Sequence, residues 1–172
     1  VSPRDADFIP PPESQVRGLM EDLVTFVNRD DLSPITKAAI AHAQFETIHP
    51  FVDGNGRGGR ALIHVVLRRD NVAPRVVPPI SVILATNQRR YVEGLTVFRT
   101  GDAEGWLRFF VRALRDAAAA SRRLGERIAA LEAIWWAAAE SRAGSAVADL
   151  IGRLAGSPVV SARGVEQLLG VS

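Results

Sequence analysis

With 172 residues, 47% of them hydrophobic, the chain can bury one sizeable core and carry a small appendage, and its composition is that of a folding sequence. The absence of cysteine excludes a disulfide scaffold and thiolate metal sites and fits a reducing compartment. A formal charge of +2 gives no electrostatic argument for nucleic acid, and with no signal pattern and no run of about 18 apolar residues, cytoplasm is the expected location and no membrane is implied.

Val1 to Pro12 holds four prolines and no helical period. It is predicted to be extended, with Phe8 and Ile9 leading into Pro10-Pro11-Pro12. Starting at Val1 without a methionine, the chain is expected to be a fragment of a longer protein. Val16, Leu19, Met20, Leu23, Val24 and Val27 then fall on one face of a helix, which Asn28 to Asp31 ends. Ser33 as N-cap and Pro34 at the first helical position open a second helix. It runs to about Ile48, with Ile35, Ala38, Ala39, His42, Phe45 and His49 along one side. Pro50 disfavours helical backbone at His49, which places the imidazole at the helix tip.

A third helix begins near Gly56 or Arg57 and continues through Leu67, apolar almost all round, as a central buried helix would be. Asn71 to Pro79 is a proline-broken connection, followed by a short helix from Ser81 and another from about Asn87 to Arg99. Ala103 to about Arg142 reads as one long helix or as two that bend near Gly125. Trp135 and Trp136 are expected to pack the tail against the core. Beyond Gly144 and Ser145 the tail reads as a helix from Ala146 to Ala155, a turn at Gly156-Ser157-Pro158, a short strand at Val159-Val160, the N-cap Ser161, and a helix to Leu169. The domain reading is therefore a lead-in over 1–12, an all-α core over 13–142 and a small tail over 145–172.

Chemistry concentrates in His49-Pro50-Phe51-Val52-Asp53-Gly54-Asn55-Gly56-Arg57-Gly58-Gly59-Arg60, between the second and third helices. Glycines that permit close backbone approach, followed at once by a helix start with unpaired N–H groups, make a physically sensible anion site. Arg57 and Arg60, at i and i+3, can both fork onto phosphate oxygens. Asp53 is out of place in that positive field unless it holds a divalent cation, Mg2+ being the usual one beside phosphate. His49 could take a proton from an attacking hydroxyl.

This stretch resembles the signature of the Fic (Fic/Doc) family, His-Pro-Phe-x-(Asp/Glu)-Gly-Asn-Gly-Arg-x-x-Arg, with every defined position filled, and the similarity extends from about Phe8 to Ala118. The resemblance implies an all-α, Fic-type helical bundle and an enzyme, a protein adenylyltransferase, that moves AMP from ATP to a Ser, Thr or Tyr hydroxyl of a target protein. By position it implies that His49 is the general base, Phe51 anchors the loop in the core, and Asp53 binds Mg2+. Gly54, Asn55 and Gly56 would form the anion hole, and Arg57 and Arg60 would hold the triphosphate. Near the base, where relatives often have two adjacent aromatics, this chain has Tyr91 followed by Val92, and Arg99 stands where some relatives have Asn. Val1 to Ile9 would supply the trailing edge of a target-docking β-hairpin flap.

Thr100-Gly101-Asp102-Ala103-Glu104-Gly105 matches the family's inhibitory string but lies at a helix start, where it reads as ordinary capping, so an inhibitory helix is expected upstream of Val1. His42 is expected to be a buried, hydrogen-bonded core residue, and His64, one turn after Arg60, either a packing residue or one that supports the site from behind. The tail resembles the opening of a winged helix-turn-helix domain, and reads equally as a helical cap on the core. DNA binding would need a complete C-terminal domain. Two alternatives stay open: a DNA-binding or scaffolding regulator whose loop senses nucleotide, and an enzyme of this fold that moves another phosphoryl-linked group or removes AMP. The sequence leaves the oligomeric state open, a homodimer included.

Overall fold

The computed structural model describes residues 8–140, 142, 144–157 and 159–170. Among them the regular structure is all α: α1 (Glu13–Val27), α2 (Pro34–Ile48), α3 (Asn55–Arg69), α4 (Ile80–Thr86), α5 (Gln88–Arg99), α6 (Ala103–Ala139), α7 (Ala146–Leu154) and α8 (Ala162–Leu169). The strand expected at Val159-Val160 does not form. Val159 is 92% exposed, and two residues with no neighbouring strand gain no ladder to hold them extended. Phe8 to Pro12 has no regular structure, while residues 1–7 of the expected flap edge and Pro158 lie outside the described residues. The chain forms two compact units, Val1–Ala120 and Ser121–Ser172.

In the first unit α2 occupies the centre. Nine of its fifteen residues are buried, against five of fifteen in α3, so the expectation that α3 is the central helix is corrected. The reason lies in side-chain size. Ala38, Ala39, Ala41 and Ala43 let neighbouring helices approach α2 from several sides, whereas α3 turns Val65, 59% exposed, outward. Ser33 occupies the N-cap position of α2 without a side-chain capping bond, and Pro34 sets the start. From α6, Trp106 and Phe110 are fully buried in the main cluster with Ile63, Val66, Leu67, Ile80 and Leu84. Burying a ring of that size stabilises the fold by about 2–3 kcal/mol. Trp106 also donates its Nε1–H to the Ala39 carbonyl at 2.8 Å, which fixes α6 against α2. The open end of α1 is closed by Arg69 of α3, which donates to the Val27 carbonyl and, at 2.8 Å, to Asn28 Oδ1.

α6 is assigned as one helix through Gly125. In the second unit Ser145 and Ser161 cap α7 and α8 by accepting from Ala148 N (3.2 Å) and Gly164 N (3.1 Å). Gly170, at φ 67°, ends α8 in the left-handed conformation that glycine favours. Arg153 of α7 donates to the Leu168 carbonyl of α8 at 2.8 Å. Trp135 is half-buried and Trp136 remains 43% exposed.

Candidate active site

α2 ends at Ile48 because Pro50 removes the helical option at the residue before it. His49 takes φ 52° and ψ 55° instead, a left-handed conformation that costs a non-glycine residue roughly 1–2 kcal/mol. Its N–H still closes the last turn on the Phe45 carbonyl at 2.9 Å, so the helix carries the residue while the backbone turns the exposed imidazole outward. It borders a basin of about 310 Å³ lined also by Val52, Asp53, Gly54, Asn55, Gly56, Arg57 and Arg60.

The loop is held by Asn55. Its side chain is 3% exposed, its Oδ1 accepts from Phe51 N at 2.9 Å, and its Nδ2 donates to the Phe51 carbonyl at 2.6 Å. Phe51, expected as the core anchor, is 56% exposed and rests against Phe45 with ring centroids 6.1 Å apart. The anchoring is therefore polar, and the expectation for Phe51 is corrected: its main chain is clamped while its ring stays at the rim. Asn55, expected in the anion hole, can serve there through its backbone N–H, since its amide group is engaged in the clamp.

Gly54, at φ 89°, turns the chain into α3. The first intrahelical bond runs from Gly58 N to the Gly54 carbonyl. The N–H groups of Asn55, Gly56 and Arg57 have no acceptor among the described residues and form the positive end of the helix dipole. Arg57 folds back to pair with Asp53 Oδ2 at 2.9 Å, both side chains being well exposed. Arg60 lies over Gly56, where an added Cβ would come 3.0 Å from its Nη1. Among the described residues no group of three His, Cys, Asp or Glu side chains is placed to hold a metal ion. A cation at Asp53 would have to draw its other ligands from a bound phosphate and from water, the usual arrangement for Mg2+, so the lone carboxylate fits one only together with a polyphosphate.

Behind the loop runs a buried polar seam. His42 is fully buried, its Nε2 lies 3.0 Å from the Tyr91 hydroxyl, and burial pushes its pKa down to about 4. Glu46, four residues on, is 7% exposed; its Oε1 has no hydrogen-bond partner, and burial holds its carboxyl above the usual range. Both groups face Gly59, where a Cβ would lie 2.6 Å from Glu46 Oε1 and 3.0 Å from His42 Nδ1. Tyr91, expected beside a nucleotide base, belongs to this seam: its ring stacks on His42 at 5.8 Å and meets Trp106 at 6.4 Å, and it does not line the basin. Burial raises the Tyr91 pKa, with the nearby Glu46 acting in the same direction. The seam left one trace in the sequence, a His and a Glu four apart on a face that otherwise reads as core.

The structure thus brings His49, Asp53, Gly54, Asn55, Gly56, Arg57 and Arg60 to one wall and leaves Tyr91 behind it. A larger groove of about 590 Å³, bordered by Arg90, Arg108 and Arg112, holds none of the loop residues and offers no base, carboxylate and anion hole together. At the start of α6, Asp102 Oδ1 accepts from Gly105 N at 2.8 Å and Glu104 pairs with Arg108 at 3.0 Å, so the Thr100–Gly105 string is a helix cap.

Residues 2–67, which include the whole loop, match the sequence model of the Fic/DOC family. Over that segment the chain carries the sequence pattern of the Fic/DOC family. It is similar to a protein adenylyltransferase of Caenorhabditis elegans, 30% identical over 108 residues, covering 61% of this chain and 20% of the relative. It is 33% identical over 104 residues to the protein adenylyltransferase Fic of Drosophila melanogaster, covering 59% of this chain and 20% of that protein. A crystal structure of a Fic family protein from Desulfovibrio desulfuricans superimposes over 97% of this chain and 47% of its own, with a TM-score of 0.61 and 28% identity. The chain spans about a fifth of the length of the curated relatives it matches. No helix among its described residues is long and apolar enough to cross a membrane.

Proposed function

We propose that this chain transfers AMP from ATP to a hydroxyl side chain of a target protein. The reading rests on one basin whose wall combines the His49 imidazole, the open N–H groups at the start of α3, the Asp53 carboxylate and the Arg60 guanidinium. The names of the relatives, protein adenylyltransferases, support it. An α-phosphate at the start of α3 would receive the N–H groups of Asn55, Gly56 and Arg57, and Arg57 and Arg60 would hold the outer phosphates. His49 takes the proton of the target hydroxyl as its oxygen bonds to the α-phosphorus. The bond from that phosphorus to the bridging oxygen breaks, pyrophosphate leaves with the electron pair, and the imidazolium returns its proton to solvent. Asp53, released from Arg57, would hold Mg2+ with phosphate oxygens, and the bound ion supplies neutralisation of the polyphosphate charge.

The test is transfer of label from ATP labelled at the α-phosphate to candidate targets. His49→Ala is expected to lower transfer by about 10²- to 10⁴-fold while ATP still binds. Undiminished transfer in that variant would falsify the mechanism. One observation favours a second reading: no Phe, Tyr or Trp is among the residues lining the basin, so the basin recognises phosphate more evidently than adenine. In that reading the enzyme moves another phosphoryl-linked group, or removes AMP. The mass gained or lost by the target separates the two.

A further inference from the structure

The last carbonyls of a helix lack an intrahelical donor and must find one elsewhere. For α1 the donor is Arg69. For α2 it is Arg99, the last residue of α5, whose Nη2 donates to the Glu46 carbonyl and whose Nε donates to Thr47 Oγ1, each at 3.4 Å. These bonds are long but charge-assisted, and the group that makes them is hemmed in. The Arg99 guanidinium is half-buried and lies 3.6 Å from the centroid of the Phe8 ring, close enough for a cation–π contact. Burial weakens its hold on its proton, and the neighbouring Glu46 carboxylate strengthens it.

The two arginines do the same mechanical work at helix ends of different consequence. α1 runs out into the Asn28 turn. α2 delivers His49, two residues beyond Thr47, in a left-handed conformation the local backbone does not favour. A clamp on the main chain of Glu46 and the hydroxyl of Thr47 therefore acts on the turn that aims the imidazole.

We propose that Arg99 is a positioning residue for His49: by gripping the last turn of α2 through two acceptors at once, it fixes the direction in which the imidazole meets the basin. The inference rests on the reading of His49 as the base. Arg99 does not line the basin, so its replacement leaves the phosphate contacts in place. A planar fork can serve two acceptors together, which a single ammonium cannot do equally well.

The experiment compares the full chain with Arg99→Met, Arg99→Lys and Thr47→Val, measuring kcat for transfer, ATP affinity by calorimetry, and the nitrogen signals of the three histidine rings by NMR, with His49 assigned from His49→Ala. Arg99→Met is expected to lower kcat by about 10- to 100-fold with ATP affinity held within about twofold, and to shift the His49 signals while those of His64 stay. Arg99→Lys is expected to recover part of the loss, and Thr47→Val to show a smaller loss of the same kind. An unchanged kcat, a loss matched in ATP affinity, or His49 signals identical to wild type overturns the proposal. Should the wild-type chain transfer no AMP, the NMR comparison still decides: shifted His49 signals support the clamp and unshifted ones reject it. Should Arg99→Met fail to fold, Arg99→Lys and Thr47→Val carry the same comparison.

Discussion

The two ends of α2 both bury ionisable groups, and they treat them in opposite ways. Near its start, Lys37 is 3% exposed, donates to the Arg29 carbonyl at 2.8 Å and pairs with Asp70 at 2.5 Å. Lys37 holds the Asp70 carboxyl below its usual range. Near its end, Glu46 Oε1 and His42 Nδ1 are buried without partners, and burial pushes each group toward its neutral form. An unmet buried polar atom costs about 1–3 kcal/mol, so the second arrangement is not one that stability alone would favour. Polar burial ties the fold together at one end of the helix, and at the other it backs the loop that carries His49.

The widest break in this contrast is Lys37→Met, which leaves Asp70 without its main partner. Loss of a buried pair's cation is expected to cost about 3–5 kcal/mol in urea unfolding, with transfer per folded molecule retained. A cost below about 1 kcal/mol would mean that the start of α2 is not closed in the way the ion pair suggests.

A pH series probes the other end. With its folded pKa near 4, below the usual 6.5, His42 stays neutral in the fold while the unfolded chain takes up a proton. Its contribution is therefore complete above the unfolded value and is lost as pH falls toward 4, on the order of 2–3 kcal/mol. Glu46, with its pKa raised, favours the fold as pH falls and offsets part of that loss. Urea midpoints from pH 7 down to 4 should fall more steeply for wild type than for His42→Gln; parallel curves would remove His42 from the account.

Gly59→Ala comes next, because its Cβ would press on Glu46 Oε1 and His42 Nδ1. It is expected to destabilise by about 1–3 kcal/mol. Gly18→Ala in α1, with nothing within 4 Å of the new methyl, is expected to stabilise by up to about 1 kcal/mol. Thermal melts that moved the same way in both variants would show that crowding against the seam is not the cause. Asp53→Ala should act least on stability, since its pair with Arg57 is exposed. Its melting temperature is expected to match wild type while the Mg2+ needed for half-maximal transfer rises, and an unaltered metal requirement would release Asp53 from that role.

Helix starts and stops were legible where the chain writes them locally. Ser33-Pro34 marks the start of α2, Pro50 ends it at His49, and Gly54 precedes α3. The spacing of His49, Asp53, Arg57 and Arg60 was enough to place them together, because one turn and one helix connect them. Tertiary facts were not legible. Whether α2 or α3 lies at the centre depends on how closely small side chains let neighbours approach, and apolar content alone pointed to the wrong helix. The family resemblance implies Phe51 as the anchor, yet the amide of Asn55 does the holding. Tyr91, Arg99 and Glu46 meet across some fifty residues of sequence, a distance no local period spans.

The Asn55 clamp also has an entropic side. By returning both a donor and an acceptor to Phe51, the side-chain amide stands in for a second strand and closes residues 51–55 into a small ring. Immobilising a loop residue costs about 1–2 kcal/mol of backbone entropy. In this chain that ordering is completed during folding, before any ligand arrives. A nucleotide binding here would meet the N–H groups of α3 already in register, with the exposed Asp53–Arg57 pair left to open, and little of its affinity would be consumed in arranging the main chain.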